Sequence, residues 1–360
     1  MKHSTCIGID AHSQSNVVCA LDTQTGEICE GRLSADPREL RKWIEQRAFP
    51  EPLACVYEAG PTGFGLARHL SSAGIECFVA ATSKLPRRTD RAKNDRNDAE
   101  WLARQLSAGA VRKVRIPSPE EESLCRLSKL RGEAAQDLRR AKQRVQSFLL
   151  LTGTEYTLTK KRWTKTFVSW AESYVFPSPE DTFTFKEKVS EFKRASERLQ
   201  RIDGEIERVV GSSPALQDKM ARLTCIHGIG RVTAFSLLCE VYDFERFSRG
   251  SAFASFLGLV PSESSTGKKT SRGSITKLGN TNLRRLLVES ASCYSRRPNP
   301  AARKYEGVSS AVAAKARKCE DRLFARRRKL RERGVAANKA KLAVARELAE
   351  WIYYIMVMPG

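Results

Sequence analysis

The chain predicts an α/β domain followed by a mainly helical remainder, on three observations. Short apolar runs alternate with turn residues over about the first hundred positions, a strict three-four apolar repeat follows Pro119, and the final part mixes helical patterns with glycine-marked turns. The boundaries read as an α/β domain at 1–110, a helical middle at 111–213 and a mainly α C-terminal domain at 214–360.

Taken in order, Thr5 to Ile9 is a short apolar run ending at Asp10, and Asn16 to Leu21 is a second. Ser13-Gln14-Ser15 turns between them, and Thr23 to Gly26 turns into a weaker strand from Glu27 to Leu33. Pro37 opens a helix whose inner face carries Leu40, Trp43 and Ile44. Leu53 to Tyr57 reads as a buried strand ending at Glu58. Gly60-Pro61-Thr62-Gly63 then turns into a helix with Phe64, Leu66, Ala67 and Leu70, and Ile75 to Ala80 is the next strand. Gly60, Gly63 and Gly65 fit neither a phosphate loop nor a dinucleotide fingerprint and read as turn chemistry.

An acidic helix follows at Lys93-Asn94-Asp95-Arg96-Asn97-Asp98-Ala99-Glu100-Trp101-Leu102-Ala103. Asp95 and Asp98 are three residues apart and share a helix face, where two carboxylates repel unless something positive lies between them. On those two residues alone, a solvated charge-mixed face is the simpler reading. Three strands, a helix, then alternating strand and helix is the order of a ribonuclease H-like domain. Asp10 and Glu58 lie at strand ends, where such sheets present ligands. Asp10, Glu58, Asp95 and Asp98 together suit Mg²⁺ or Mn²⁺, and a pair of such ions about 4 Å apart serves phosphoryl transfer. Asp10-Ala11-His12 also fits the first phosphate loop of actin-like kinases, but no second loop or adenosine pocket accompanies it. His12 reads as structural. Lys84, Arg87, Arg88, Arg91, Lys93 and Arg96 give the acidic helix a basic approach, either a phosphate-holding segment or a plain surface loop.

Pro117-Ser118-Pro119 marks a boundary. Leu124, Leu127, Arg131, Ala134, Leu138, Ala141, Val145 and Phe148 then predict a long helix with a coiled-coil seam. A second helix from Glu187 presents Phe192, Ala195, Leu199, Ile202, Ile206 and Val209, and the two pair within a chain or between subunits. Between them Trp163, Phe167, Trp170, Tyr174 and Phe176 form an aromatic insertion, which reads as core packing before base stacking.

In the last part, Ile226-His227-Gly228-Ile229-Gly230 before an apolar helix is a helix-hairpin-helix pattern, in which backbone N–H groups approach a phosphate. Phe247 to Leu259 reads as one apolar helix, and Ser262 to Gly273 as a polar, basic loop. A hydroxyl there, flanked by Lys268, Lys269 and Arg272, has the setting of a phosphodiester nucleophile, but on spacing alone an ordinary phosphate-binding loop is the simpler reading. A helix with Leu283, Leu286, Leu287 and Ala291 follows. Lys315 to Arg346 carries 13 basic and three acidic residues, a nucleic-acid-facing helical surface, and Leu348 to Met356 closes the chain as an apolar helix.

Composition narrows the class. Sixty-three Lys and Arg against 41 acids give +22 over 360 residues, which points to a polyanionic partner. No apolar run approaches the roughly 20 residues of a membrane span, and no secretory leader is visible. Ten single cysteines and four histidines exclude the usual zinc spacings and predict reduced thiols in a cytoplasmic protein.

Five motifs acquire a common meaning when read together: Gly8-Ile9-Asp10, Tyr57 to Gly63, Lys93 to Ala99, Ile226 to Gly230 and Gly258 to Gly267. The set resembles the DEDD transposases of the insertion-sequence 110 family, relatives of the pilin-gene invertase, over nearly the whole chain. The resemblance implies a RuvC-like N-terminal domain, a coiled coil, and a C-terminal transposase domain bearing a serine nucleophile. It implies Mg²⁺ held by the carboxylates that match Asp10, Glu58, Asp95 and Asp98. It also implies a structured bridge RNA that pairs with donor and target DNA, and a phosphoserine intermediate. It further implies that the serine of one subunit joins the acids of another, in a homodimer that assembles to a homotetramer. Ser265 matches the first of the family's two serines and Thr266 stands at the second; Ser264 ranks last. Lys93, Arg96, Gly228, Gly230, Lys268, Lys269 and Arg272 are the expected nucleic-acid contacts. A metal-dependent nuclease without a covalent step, and a binding scaffold with a dead site, are the alternatives.

Overall fold

The computed structural model describes residues 3–81, 85, 95–266, 269–297 and 305–359; for Asp95, 264–266 and 269–272 it describes backbone alone. The chain divides into two compact units, Met1–Ser118 and Pro119–Gly360.

The first unit is a mixed sheet with helices on both faces. Strands β1 (Thr5–Ala11), β2 (Ser15–Asp22) and β3 (Ile28–Ser34) form an antiparallel meander, as their alternation predicts. Helix α1 (Pro37–Arg47) starts on an Asp36 cap with Pro at its start and buries Leu40, Trp43 and Ile44. Strand β4 (Leu53–Glu58) then returns parallel to β1. Helix α2 (Gly65–Ser72) crosses to β5 (Glu76–Ala80), parallel to β4, and helix α3 (Asp95–Ser107) follows. A two-residue strand, β6 (Lys113–Val114), pairs antiparallel with β5; it is too short to leave a periodicity in the sequence. The sheet order is β3-β2-β1-β4-β5-β6.

The second unit is helical apart from one hairpin. Helix α4 (Pro119–Leu151) and helix α6 (Pro179–Gly211) pair within the chain. Cross-pairs Arg131–Asp203, Arg198–Asp137 and Arg144–Glu191 run in opposite numerical order along the two, so the pair is antiparallel. Helix α6 begins eight residues before Glu187, because Ser178 caps it and Pro179 occupies its first turn. Its buried seam continues Ile202, Ile206, Val210; Val209 is only half-buried, since the four-residue step lands on its neighbour. Helix α5 (Lys165–Ser173) carries the aromatic insertion, whose Phe167 and Phe176 pack with Phe148, Phe185 and Phe192 in a core of their own. The aromatics are core, as expected.

Helices α7 (Pro214–Thr224), α8 (Arg231–Val241), α9 (Gly250–Phe256) and α10 (Thr281–Ser290) and a 3₁₀ turn (Ala291–Ser295) build the larger core with α11 (Ser310–Glu332) and α12 (Ala337–Met356). Three expectations are corrected here. The apolar segment from Phe247 is helical only over Gly250–Phe256, because the Gly258 φ of 67° ends it. The polar stretch after Pro261 is a β-hairpin, β7 (Pro261–Thr266) and β8 (Lys269–Ile275), rather than a loop. The closing helix begins at Ala337, so Lys339, Lys341 and Arg346 belong to it. Much of the basic stretch is engaged internally: Glu347 pairs with Arg322 and Arg326, and Arg327 donates to the Ala291 carbonyl. Among the described residues no helix is long and apolar enough to cross a membrane.

Candidate functional site

The two faces of the sheet sort the carboxylates. Ile7 and Ile9 of β1 and Cys55 and Tyr57 of β4 share a core with Leu40, Trp43 and Leu70 of α1 and α2. Cys6, Ala54 and Val56 share another with Leu102 and Leu106 of α3. Side chains alternate along a strand, so Asp10 and Glu58 belong to the α3 face. The parallel register pairs Gly8 with Val56 and Ile9 with Tyr57, and its next step along both strands sets Asp10 beside Glu58. Helix α3 is seated on β1 at Gly8, where an added Cβ would lie 1.9 Å from the Ala99 carbonyl oxygen and 2.6 Å from the Ala103 nitrogen. Asp98, in the first turn of α3, therefore precedes the Ala99 peptide that touches β1 at Gly8, and Gly8 is two residues along the same strand face from Asp10. Asp95 is the first residue of that helix; Lys93 lies outside the described residues.

Two contacts at this edge escaped the sequence reading. His12 Nε2 lies 3.0 Å from Asp10 Oδ2, across the tight turn after β1. Its offset of two residues from the acid was the available signal. Arg96 is bound by Glu30 of β3, so the cation expected to approach phosphate has a carboxylate partner. That hydrogen bond raises the Arg96 pKa further and keeps the guanidinium charged. Glu58 is exposed and Asp10 and Asp98 are half-buried. The turn after Glu58 is fixed by Tyr57, whose hydroxyl donates to the Gly63 carbonyl at 2.9 Å. Among the described residues no group of three or more His, Cys, Asp or Glu side chains is placed to hold a metal ion. The Asp95 carboxylate stands outside that statement.

The hairpin pairs Ser265 with Thr270, Ser264 with Ser271, Glu263 with Arg272 and Thr266 with Lys269; Lys268 lies outside the described residues. Its base is held tightly. Thr276 N–H donates to the Val260 carbonyl at 2.9 Å and Lys277 N–H to the Gly258 carbonyl at 3.2 Å. Arg284 Nη1 donates to the Leu257 carbonyl at 3.1 Å. Gly228 adopts φ 86°, and an added Cβ there would lie 2.8 Å from the Ser290 carbonyl oxygen. The Tyr294 hydroxyl donates to the adjacent His227 carbonyl. Gly230 is the N-cap of α8, with no side-chain cap and open space around it.

Comparison with known proteins matches two family models to this layout. One, DEDD_Tnp_IS110, described as a transposase, spans residues 7–153. The other, described as the transposase IS116/IS110/IS902 family, spans residues 220–306. A putative transposase of Sinorhizobium fredii, y4qE, is 35% identical over 356 residues, covering 97% of this chain and 87% of the relative. The chain belongs to the IS110 family of DEDD transposases. The transposase of insertion sequence element IS1533 from Leptospira borgpetersenii is 30% identical over 297 residues, 81% of this chain and 85% of that protein. The transposase of element IS1111A from Coxiella burnetii is 29% identical over 199 residues, 55% and 54% of the two chains. An insertion-sequence transposase acts on DNA, and the +22 charge suits that partner. Asp10, Glu58, Asp95 and Asp98 of this IS110-family transposase lie within the first matched span, and Gly228, Gly230 and Ser265 within the second.

Proposed function

We propose that this transposase cuts and rejoins DNA with Asp10, Glu58, Asp95 and Asp98 as the metal-holding set and Ser265 as nucleophile, guided by a structured RNA. The observation that carries the reading is the shared edge of Asp10 and Glu58, on adjacent parallel strands, with α3 seated on β1 through Gly8. The meander and the parallel strands support a RuvC-like domain. Helix α7, the Gly228–Gly230 turn and α8 support a helix-hairpin-helix that meets phosphates without reading bases.

The four acids are hard oxygen donors of the type that Mg²⁺ and Mn²⁺ prefer. A bound divalent ion would supply charge neutralisation at the reacting phosphoryl group. The Ser265 oxygen attacks phosphorus, an O–P bond to serine forms, and the bond to the leaving sugar oxygen breaks. The leaving oxygen keeps the electron pair and takes up the serine proton. Attack by the hydroxyl of another strand reverses the exchange and frees Ser265. One phosphodiester replaces another, so no external energy source is needed. Arg96, Lys93, Lys268, Lys269 and Arg272 hold backbone phosphates beside the two centres, and Gly228 and Gly230 let a backbone approach α8. The acids and the serine come from different subunits of a homodimer that assembles to a homotetramer.

A denaturing gel of protein with labelled element-end DNA and guide RNA tests the reading. Wild type gives a covalent protein–DNA band that requires Mg²⁺ or Mn²⁺ and RNA. Ser265→Ala and Asp10→Asn both abolish it. Strand cutting that survives Ser265→Ala without an adduct overturns the covalent mechanism in favour of hydrolysis. An adduct that survives it but disappears in Thr266→Ala overturns the assignment to Ser265. Equal adduct yield without RNA overturns the guided step.

A further inference from the structure

The helical pair α4–α6 carries a charge distribution that its packing does not explain. Together the two helices hold 14 basic and 13 acidic residues, so the pair is close to neutral. Yet two adjoining cavities between them, of about 410 and 350 Å³, share Arg140 and Arg144 and form one groove. Five cations line it, Arg140, Arg144, Lys188, Arg194 and Arg198, against two acids, Asp137 and Glu191. Positive charge is therefore sorted onto this side of a neutral hairpin, and the other sides are acidic in balance.

The two acids are already committed across the helices, Asp137 to Arg198 and Glu191 to Arg144. Arg140 comes within only 4.0 Å of Asp137, which Arg198 already holds. Arg194 is exposed and has no ion pair among the described residues. Lys188 lies 5.9 Å from the Phe148 ring, with its charged end at the groove. Ala141 and Ala195 also line the groove, and Gln143 and Ser147 add neutral polar groups. From Asp137 to Leu151 the groove runs about 21 Å at 1.5 Å per residue. At roughly 3.4 Å per phosphate, that length accommodates about six phosphates of one strand.

We propose that this groove binds a phosphodiester backbone, independent of sequence, with Arg140, Lys188 and Arg194 as the phosphate contacts. Arginine and lysine on a neutral helical pair neutralise phosphates and release counterions, a term that does not depend on base sequence. The groove shares no lining residue with the serine hairpin or with the carboxylate set, so its variants leave the proposed cutting residues in place.

The test uses full-length protein carrying Arg140→Ala, Lys188→Ala and Arg194→Ala together. A control carries Arg139→Ala, Lys219→Ala and Arg297→Ala, which remove the same charge at exposed positions elsewhere. Fluorescence anisotropy across a salt series is read with three probes: single-stranded RNA, an RNA stem-loop and duplex DNA. The groove variant loses about tenfold or more in affinity at low salt, and its log–log salt slope falls by roughly 2–3. The control loses much less. Loss confined to the RNA probes assigns the groove to RNA, and loss confined to duplex assigns it to DNA. A second variant, Arg140→Lys with Arg194→Lys, keeps the charge and binds like wild type. The proposal is overturned if the groove and control variants match on every probe. It is also overturned if the lysine variant binds as weakly as the alanine variant while keeping wild-type helicity.

Discussion

The Ala99 carbonyl lies against Gly8: a Cβ on that glycine would stand 1.9 Å from the oxygen, closer than any side chain tolerates. The contact fixes helix α3 on strand β1 and sets the acidic helix over the strand that carries Asp10 next to its last residue. Gly8→Ala must push the helix backbone away, because the obstructing atoms are main chain. The expected cost is about 1–3 kcal/mol in stability, with strand cutting lost and DNA binding retained. Thermal melts and a cleavage assay check this; a Gly8→Ala protein that melts and cuts like wild type would refute the seating.

The base of the serine hairpin makes a parallel case. Gly279 has φ 118°, and its added Cβ would lie 2.0 Å from the Phe256 carbonyl oxygen. Gly279→Ala combines an unfavourable backbone region with a main-chain clash, together about 2–4 kcal/mol. Gly26, at φ 79° with open space around it, isolates the first effect. Gly26→Ala is expected to cost only about 1–2 kcal/mol. Urea titrations of both variants separate the terms, and equal losses would show that the contact at the hairpin base is unimportant.

Two glycines sit where a methyl group has room. Gly132 in α4 and Gly204 in α6 have nothing within 4 Å of an added Cβ. Each Gly→Ala change is expected to add about 0.5–1 kcal/mol by removing unfolded-chain freedom from a helix interior. Their neighbours Arg131 and Asp203 are hydrogen-bonded at 2.9 Å, so the two glycines lie at one level of the helical pair. The double variant then measures coupling as well as gain. A lowered melting temperature in either single variant would contradict the open space.

What the sequence could reveal follows from which signals are local. The first five strands in chain order, the inner face of α1 and the long apolar seam of α4 were legible, because alternation and a three-four repeat are written residue by residue. The hairpin that carries Ser265 was not. Ser264, Ser265, Thr266, Thr270 and Ser271 lack apolar alternation, and what makes them strands is the partner strand across the turn. The start of α6 was misplaced because Ser178 and Pro179 precede the apolar repeat rather than belong to it. At the carboxylate edge, Asp10 and Glu58 could be named from strand ends. Their face was decided by Gly8, whose partner Ala99 is far along the chain. The contacts of His12 with Asp10 and of Glu30 with Arg96 depend on turn and sheet geometry that no spacing encodes.

The α1 cap carries a pH dependence. Hydrogen bonds from the Arg38 guanidinium and its backbone N–H hold the Asp36 carboxyl down to about 2, from an ordinary 3.8. A folded-state value below the unfolded one stabilises above the unfolded value and is lost as pH falls through the folded one. The contribution is full near pH 5 and about half gone near pH 3. Asp36→Asn keeps a capping oxygen without the charge. The stability gap between wild type and Asp36→Asn, from urea titrations, should therefore narrow over that interval. A gap that stays constant would mean that the charge contributes nothing.

The ten free cysteines offer a readout of both compact units in one experiment. Burial pushes the Cys77 thiol up to about 12 and the Cys225 thiol up to about 11, and it raises Cys55 well above its usual range. Only the thiolate attacks an alkylating reagent, and a thiol at about 12 is ionised to roughly one part in ten thousand at pH 8. Cys293 is exposed and Cys29 half-buried, while the other eight are buried. Iodoacetamide at pH 8 should therefore modify Cys293 first and Cys29 more slowly, leaving Cys77 of the sheet and Cys225 of the helical unit untouched. Urea should release the eight in two groups if the units unfold separately, and together if they do not. Peptide mass spectrometry follows each site, and alkylation of Cys77 or Cys225 at the rate of Cys293 in native protein would mean that those cores are not closed.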